Sequence, residues 1–259
     1  APQGEWTILR IGHVNTLRRN GPAPAEATGW ECNKLDPSGA ALHFKNYIGH
    51  MANGPVKGLL SNMLMDSWEC YSQTWTKNMP QDFNRIASYP LEKWVPALFG
   101  FVIDSPETTA RFLVDWRKTL NHLYVNNFFG EMSRLAHKNG LTCTYETAGG
   151  DITPADPMEY YKFADVPMCE FWSRPGVSER YVETGNASIP GYLAHVWGRR
   201  YVAAEAFTSE PPDGGRWTTT PFALKAQGDR AFTKGVNRLV FHRFCHQPYA
   251  KTGSFAAPG

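Results

Sequence analysis

The 259-residue sequence predicts an α/β fold, a TIM-type (β/α)8 barrel that is incomplete, with about six of the eight β/α units present. The first observation is that strand-like runs are separated by long connections with helical patterns, as parallel strands require. The second is that several runs end in a carboxylate beside aromatic residues, and barrels carry their functional side chains at these strand ends. A doubly wound open sheet is the alternative. It normally has a glycine-rich turn, and neither GxGxxG nor GxxxxGK occurs in the sequence.

The first elements are two strand candidates followed by a helix and a third strand. Residues 6–14 (WTILRIGHV) have a strand-like pattern, and residues 28–35 (TGWECNKL) form a weaker candidate after a loop rich in glycine and proline. Asp36 is suited to cap a helix, and Pro37 fits its first turn. A short apolar run within residues 61–69 (SNMLMDSWE) then predicts a strand that is buried on both faces.

The remaining elements alternate between helix and strand. A helical segment at residues 81–99 precedes a long amphipathic helix that starts at Ser105-Pro106 and continues to Lys138. Gly140 ends this helix because glycine accepts the left-handed conformation of a helix terminus. The predicted strands beyond it are residues 141–146, 166–172, 200–207 and 237–244, and the predicted helices are residues 157–163, 192–197 and 221–235.

Composition argues against several classes of protein. The 26 basic and 24 acidic side chains are interspersed and give a net charge of +2, so a nucleic-acid partner is not expected. No run approaches the roughly 18 apolar residues of a membrane span, so no membrane partner is expected either. The five cysteines are far apart and lack CxxC spacing, which disfavours a zinc site or a disulfide framework. The chain opens with Ala1 and has no apolar leader region, so we expect a processed chain or part of a longer one.

Four glutamates fall at the ends of four successive predicted strands, where a barrel would bring them to one mouth. These are Glu69, Glu146, Glu170 and Glu205. A single glutamate there is commonly a cap or an ion-pair partner, but a set of four calls for metal binding, proton transfer or basic partners. Glu69 and Glu205 can face each other across the axis, as the two carboxylates of a glycoside hydrolase do. Asp66 could cap a turn or help hold a cation.

Aromatic and histidine side chains near these strand ends are candidates for binding a sugar. The chain has 9 Trp and 11 Tyr, and carbohydrate-binding proteins often use such rings as platforms. We expect Trp68, Trp75 and Trp172 to contact substrate, with core packing as the alternative for each. We also expect His242 and His246 to bond sugar hydroxyls, although a structural role would explain them equally well.

Six short motifs, taken in this order, resemble glycoside hydrolase family 106, the α-L-rhamnosidases. They are TGWECNKL, DSWE with the following TWT, TYETAGG, CEFW, AAEAFTSE and the final HQP, and together they cover nearly the whole chain. The resemblance implies a barrel catalytic domain with appended β-domains, inversion of configuration and a calcium ion at the active site. Family members are much longer, so residues 1–259 are expected to be a single catalytic barrel domain or a fragment of one, with further domains elsewhere in a longer chain.

By the same resemblance, Glu69 and Glu205 match the acid and base pair, and Glu170 matches a calcium ligand. Glu146, at the end of its own strand, is expected to contact substrate. We expect Glu69 to be the acid, because Trp68 could supply an apolar wall that raises its pKa. The expected reaction is cleavage of terminal α-L-rhamnosyl linkages in polysaccharides or glycoconjugates, and the family implies a secreted or periplasmic protein. A retaining β-glycosidase and a non-catalytic carbohydrate-binding remnant are the alternatives.

Overall fold

The computed structural model describes residues 3–21, 23–54, 56–147, 155–173, 188–208 and 220–242. The chain divides into two compact units. Unit 1 comprises Ala1–His43 and Ser72–Glu131, and unit 2 comprises Phe44–Tyr71 and Met132–Gly259. Within the described ranges, none of the helices combines the length and the apolar character that crossing a lipid bilayer requires.

Unit 2 is built on a five-stranded parallel sheet in which each strand lies beside its successor in the chain. The strands are β1 (Asn62–Met65), β2 (Thr142–Thr147), β3 (Val166–Trp172), β4 (Ala203–Thr208) and β5 (Arg238–Phe241). This arrangement confirms the α/β class and the parallel order, and it is consistent with part of a barrel. All strand ends that carry the predicted carboxylates therefore lie along the same edge of the sheet.

The register of the strands divides the side chains between two faces. Glu170 pairs with Glu205, and Glu146 pairs with Met168, so these three glutamates share one face. The other face is apolar and packs against helices that follow β3 and β4. Its buried cluster comprises Cys169, Phe171, Ala194, Val202, Ala204, Ala206, Ala231 and Val236. The hydrophobic effect thus fixes which face is covered, and it leaves the acids on the opposite one.

Two predicted strands are wrong. Residues 6–14 form no strand and expose most of their apolar side chains, with Ile8 91% and Val14 89% exposed. Residues 28–35 contribute only an isolated antiparallel bridge between Arg19 and Trp30. Alternating apolar residues form a strand only where a neighbouring strand accepts their hydrogen bonds, and the described residues supply none here. Five of the seven strand candidates therefore form strands in the described sheet, one fewer than the about six units expected of the barrel.

The strand predicted within residues 61–69 is shorter than expected and is buried on one face only. Met63 is buried, whereas Leu64 is 43% exposed. β1 lies at the edge of the described sheet, where only β2 pairs with it. Asp66 follows the strand directly, and Glu69 lies in the loop beyond.

The first helical region begins as predicted but contains a break. Asp36 caps α1 (Pro37–Asn46), because its carboxylate accepts from the backbone N–H of Ser38 at 2.9 Å and from the Ser38 hydroxyl at 2.6 Å. The hydroxyl bond is the main cause that lowers the pKa of Asp36. Tyr47 has non-helical backbone angles and separates α1 from α2 (Ile48–Asn53).

The segment predicted as one helix at residues 81–99 is two helices. These are α3 (Met79–Ala87) and a 3-10 helix (Glu92–Phe99). Ser88 between them has a left-handed conformation, with φ of 67°. The following Pro90 disfavours helical geometry at Tyr89, so the helix cannot continue through this sequence.

The long predicted helix is confirmed in position, but its middle part is wound as a π-helix instead of an α-helix. It consists of α4 (Pro106–Leu123), a π-helical segment (Tyr124–Gly130) and α5 (Glu131–Lys138). The Ser105 hydroxyl caps α4 by accepting from the backbone N–H of Thr108 at 3.2 Å. Gly140 follows α5 with φ of 73°, as the helix-terminus argument requires.

The later helices agree with the predicted positions and differ at their ends. They are α6 (Pro157–Tyr160) with a 3-10 turn (Tyr161–Phe163), α7 (Ser188–Val196) and α8 (Pro221–Thr233). Asp156 caps α6 and Thr220 caps α8, and proline follows each cap directly. Where the predicted last strand extends beyond residue 242, it lies outside the described residues.

Tyrosines with buried hydroxyls join β2 and β3 to the α6 region. The Tyr145 hydroxyl donates to the Tyr160 carbonyl, and the Tyr160 hydroxyl donates to the Glu146 carbonyl, both at 2.6 Å. The Tyr161 hydroxyl donates to the carbonyl of Met168. The backbone that carries Glu146 is therefore tied to the helix that follows it.

Candidate active site

Three carboxylates converge where β1, β2 and β4 end. Asp66, Glu146 and Glu205 each place a carboxylate oxygen within 4.8 Å of the other two. Met65 pairs with Tyr145, so the register carries Asp66 to the level of Glu146. Like charges this close repel one another unless they share a proton or a cation.

Glu146 is the buried member of this cluster, with 1% of its surface exposed. Neither of its carboxylate oxygens has a hydrogen-bond donor among the described residues. The pKa of Glu146 is raised to about 10, mainly by burial and also by the adjacent Asp66 carboxyl, which can share its proton. The charges of Glu205 and Glu170 act in the same direction. Without a cation, Glu146 is therefore protonated at neutral pH.

Glu170 is half-buried beside this cluster. Burial is the main cause that raises its pKa to about 7, and a hydrogen bond from the Trp172 side chain opposes the shift. The negative charges of Glu205, Glu69 and Asp66 add to the effect of burial. Glu170 is also the register partner of Glu205, so these two side chains are neighbours on the same face of the sheet.

Glu205 is held by two neighbours and is accessible on one side. The Thr208 hydroxyl donates to its Oε1 at 2.5 Å, and Nδ1 of His242 lies 4.0 Å from the same oxygen. The Glu205 side chain is 14% exposed and that of His242 is 37% exposed. His242 therefore lies beside the predicted base, where it can contact a bound sugar.

Glu69 lies in the loop after β1 and is exposed. Its Oε1 accepts from the Ser67 hydroxyl at 2.6 Å. Trp68 is buried, and its indole Nε1 donates to the Tyr71 carbonyl at 3.1 Å. The ring of Trp68 thus packs inside the loop, while the Glu69 carboxylate extends into solvent.

The other predicted sugar-binding residues are distributed differently. Trp172 lies at the end of β3 beside Glu170, and its carbonyl accepts from Gln227 at 2.6 Å. Trp75 belongs to unit 1, where its ring centroid is 6.1 Å from that of His13 and 6.2 Å from that of Trp116. His246 lies outside the described residues.

Two members of the site were not identified from the sequence as functional. Asp66 had cation binding and turn capping as equal alternatives, and only the strand register shows that it meets Glu146. Thr208 was not considered, because regular strand alternation would place it on the opposite face from Glu205. A shift of register between Phe171 and Trp172 reverses that placement.

This arrangement supports two kinds of chemistry. A set of carboxylate oxygens, one pair of which is buried and unbonded, suits a hard cation such as calcium. A second possibility is general acid–base catalysis, in which an exposed carboxyl group gives a proton to the substrate and a half-buried carboxylate on the same edge of the sheet takes one from water. Both agree with the cleavage of a glycosidic bond.

Comparisons with known proteins point to one family. The model of glycoside hydrolase family 106, described as alpha-L-rhamnosidase, matches residues 1–257. A protein of Formosa agariphila named "Putative beta-glucuronidase" is 35% identical over 251 residues. The solved structure of a rhamnosidase from Novosphingobium sp. PP1Y is similar with a TM-score of 0.79 and 30% identity.

The two matches cover most of this chain but a small part of the relatives. The Formosa match covers 96% of this chain and 21% of that protein. The Novosphingobium match covers 90% of this chain and 22% of that chain. The chain thus spans about a fifth of the length of each relative.

Proposed function

The chain belongs to glycoside hydrolase family 106, the α-L-rhamnosidases, and from this premise we propose that the protein cleaves terminal α-L-rhamnosyl linkages in polysaccharides or glycoconjugates. The observation that carries the proposal is the convergence of carboxyl groups along one edge of the parallel sheet. Asp66, Glu146 and Glu205 meet there, and the charges of Glu69 and Glu205 both act on Glu170. A glycoside hydrolase needs at least two carboxyl groups around one bond.

The proposed mechanism is a single displacement with inversion. Glu69 donates a proton to the leaving oxygen, and its exposed position suits a leaving group that departs toward solvent. Glu205 activates a water molecule, and its half-buried, hydrogen-bonded carboxylate suits a base that must keep one orientation. An inverting pair needs carboxyl groups about 6.5–9.5 Å apart, so that water fits between base and sugar.

Calcium is proposed to bind at this cluster through Asp66 and Glu146, together with the neighbouring Glu170, which the family resemblance makes a calcium ligand. The fit is supported by the two buried Glu146 oxygens that lack donors and by the proximity of Asp66 and Glu146, which place carboxylate oxygens within 4.8 Å of each other. When bound, the ion would offset the repulsion between the carboxylates and take sugar hydroxyls as further ligands. Glu146 would then help to hold the ion, and Trp172 and His242 are proposed to contact the sugar.

Among the described residues, the charges around Glu146 and Glu170 favour a neutral sugar over a uronic acid as long as no cation offsets them. The charged groups that act most on Glu146 and Glu170 are all carboxylates, and these would repel a uronate. The name of the Formosa relative nevertheless raises a β-glucuronide as the second candidate substrate. Hydrolysis of an aryl α-L-rhamnoside, with no turnover of the matching aryl β-D-glucuronide, would support the rhamnoside as the substrate.

Two substitutions in the full-length protein test the assigned roles. Glu69→Gln should slow substrates with poor leaving groups far more than activated aryl rhamnosides, because an activated leaving group needs little protonation. Glu205→Gln should slow both kinds of substrate alike, by roughly 10²–10⁴-fold, because water must be activated whichever group leaves. Steady-state kcat and kcat/KM with a matched pair of rhamnosides measure the difference.

Each alternative has its own distinguishing result. The opposite pattern of leaving-group dependence would exchange the roles of acid and base. Retention of configuration in the first-formed product, read by NMR, would replace the inverting pair by a retaining one with carboxyl groups about 5–5.5 Å apart. Wild-type rates in both variants would remove the pair from the chemistry. Absence of any turnover by the wild-type protein would instead favour a non-catalytic carbohydrate-binding remnant.

A further inference from the structure

Strand β4 departs from regular geometry directly after Glu205. Phe207 has a left-handed backbone with φ of 61°, which is uncommon for an aromatic residue. In the pairing with β3, the register shifts between Phe171 and Trp172, so that Trp172 lies opposite Thr208 instead of Phe207. Such bulges re-aim side chains and are over-represented next to active sites.

The consequence is that Thr208 changes face. In a regular strand, residues three apart point to opposite faces, so Thr208 would point away from Glu205. Instead, its hydroxyl donates to Oε1 of Glu205 at 2.5 Å. Thr208 is 2% exposed, and its carbonyl accepts from the backbone N–H of Ser173 at 2.7 Å. Both its backbone and its side chain are therefore fixed.

Packing around Phe207 holds this irregular backbone in place. Its ring meets that of Phe171 edge to face at a centroid distance of 4.9 Å, and it stacks on Phe241 at 5.7 Å. Gly228 of α8 leaves room for the ring, because a Cβ at that position would lie 3.3 Å from the Phe207 Cζ. A strained backbone conformation persists only where surrounding contacts hold it in place. The contacts of the Phe207 ring with Phe171, Phe241 and Gly228 do so here.

We propose that Thr208 is a positioning residue that orients the Glu205 carboxylate to take a proton from the water molecule that attacks the sugar. The inference rests on the proposed role of Glu205 as base. A hydroxyl that occupies Oε1 fixes the rotamer of the carboxylate and directs Oε2 toward the water. Catalytic groups must be held within about 0.5 Å of their productive geometry, and a single short bond from a buried, immobile donor supplies that constraint.

The experiment is a double-mutant cycle in the full-length protein, with an activated aryl α-L-rhamnoside as substrate. Thr208→Val removes the donor at nearly constant volume and should lower kcat by roughly 10- to 100-fold with little change in KM. Thr208→Ser retains the hydroxyl and should restore most of the rate. In the Glu205→Gln background, Thr208→Val should cause no further loss, because the residue acts through Glu205.

A matched control separates positioning from general destabilisation. Thr119 in unit 1 is also buried, at 0% exposure, and its hydroxyl donates to the Asp115 carbonyl at 2.8 Å. Thr119→Val should shift the unfolding midpoint without changing kcat. Circular dichroism and the unfolding midpoint establish that the variants fold.

Three results would overturn the proposal. They are a wild-type kcat for Thr208→Val, a failure of Thr208→Ser to restore the rate, and a further loss on Thr208→Val in the Glu205→Gln background. A near-normal rate for Glu205→Gln alone is a different result. It would contradict the base assignment itself and, with it, the role of Thr208.

Discussion

At the scale of single residues, Glu146 shows how a site can oppose the stability of its own fold. The carboxyl group is 1% exposed, has no donor among the described residues, and lies beside the Asp66 and Glu205 carboxylates. Burying a carboxyl group without a partner costs free energy, and the chain recovers that cost only if a ligand binds there. The position is therefore explained by binding and not by packing.

Replacing this one carboxyl group tests the argument. Glu146→Gln should raise the free energy of unfolding in metal-free buffer at neutral pH by about 1–4 kcal/mol, because Glu146 must take up a proton to become buried, whereas an amide of the same shape is uncharged in both the folded and the unfolded state. It should also abolish the rise in unfolding midpoint that calcium is expected to give the wild type. Urea unfolding with and without calcium measures both effects.

The control for this variant is Glu92→Gln, which changes an exposed glutamate in unit 1. It should leave both the stability and the response to calcium unchanged. A Glu146→Gln protein that is less stable than the wild type in metal-free buffer would contradict the burial argument. A full calcium response in that variant would remove Glu146 from the proposed metal site.

At the scale of elements, one close approach sets how α7 packs in unit 2. Gly191 of α7 lies against the turn after α8, and a Cβ at this position would overlap the carbonyl oxygen of Lys234. Gly191→Ala should therefore lower the free energy of unfolding by about 1–3 kcal/mol, because backbone must move to admit the methyl group. Thermal and urea unfolding measure the loss.

Gly12→Ala is the matched control, since no atom lies within 4 Å of a Cβ built there. It should leave the unfolding midpoint near that of the wild type. If Gly191→Ala were as stable as Gly12→Ala, the contact between α7 and this turn would be looser than the structure indicates.

Elements were predictable from the sequence where a local signal sufficed. Ser105-Pro106 and Gly140 mark the ends of a helix by hydrogen bonding and backbone freedom alone, and both predictions are confirmed. Residues 6–14 carry an equally clear local pattern but form no strand, because a strand also needs a partner. Local rules therefore identify helix termini more securely than strand pairing.

The residues of the candidate site also fall into two groups, those that a local sequence signal identifies and those whose positions depend on strand pairing. Glu146, Glu170 and Glu205 were found because each ends a recognisable strand. The proximity of Asp66 to Glu146 depends on the register between β1 and β2, and the contact of Thr208 with Glu205 depends on a bulge. Neither register nor bulge is visible in the sequence of one strand, since each is a property of a pair.

At the scale of the whole molecule, the buried tyrosine and cysteine side chains predict a loss of stability at high pH. Burial raises the pKa of Tyr145, Tyr160 and Tyr161 well above the usual value, and it raises the pKa of Cys143 and Cys169 to about 12. In the unfolded chain, cysteine ionises near pH 8.5 and tyrosine near pH 10. Above these values the unfolded state holds fewer protons than the folded state, so stability falls as pH rises.

One substitution isolates a single tyrosine from this set. Tyr160→Phe should make the decline in unfolding free energy above pH 10 less steep by about 1.4 kcal/mol per pH unit. This is the slope that results when the folded state holds one proton more than the unfolded state. Urea unfolding at intervals between pH 8 and about pH 11.5 measures the slope. Tyr192→Phe, at a tyrosine that is 68% exposed, should not change it. An unchanged slope for Tyr160→Phe would show that Tyr160 ionises equally in both states.

The strand order also determines how the sheet can assemble in time. About 20 residues separate β2 from β3 and about 30 separate each later pair, whereas about 75 lie between β1 and β2. Closing the longer loop costs about 1 kcal/mol more in chain entropy than closing the shortest one. Strands β2 to β5 can therefore condense first, and β1 joins them late. Because β1 delivers Asp66 and Glu69, the carboxylate cluster is complete only at the end of folding, which limits the time during which a partly folded chain could bind a cation in the wrong arrangement.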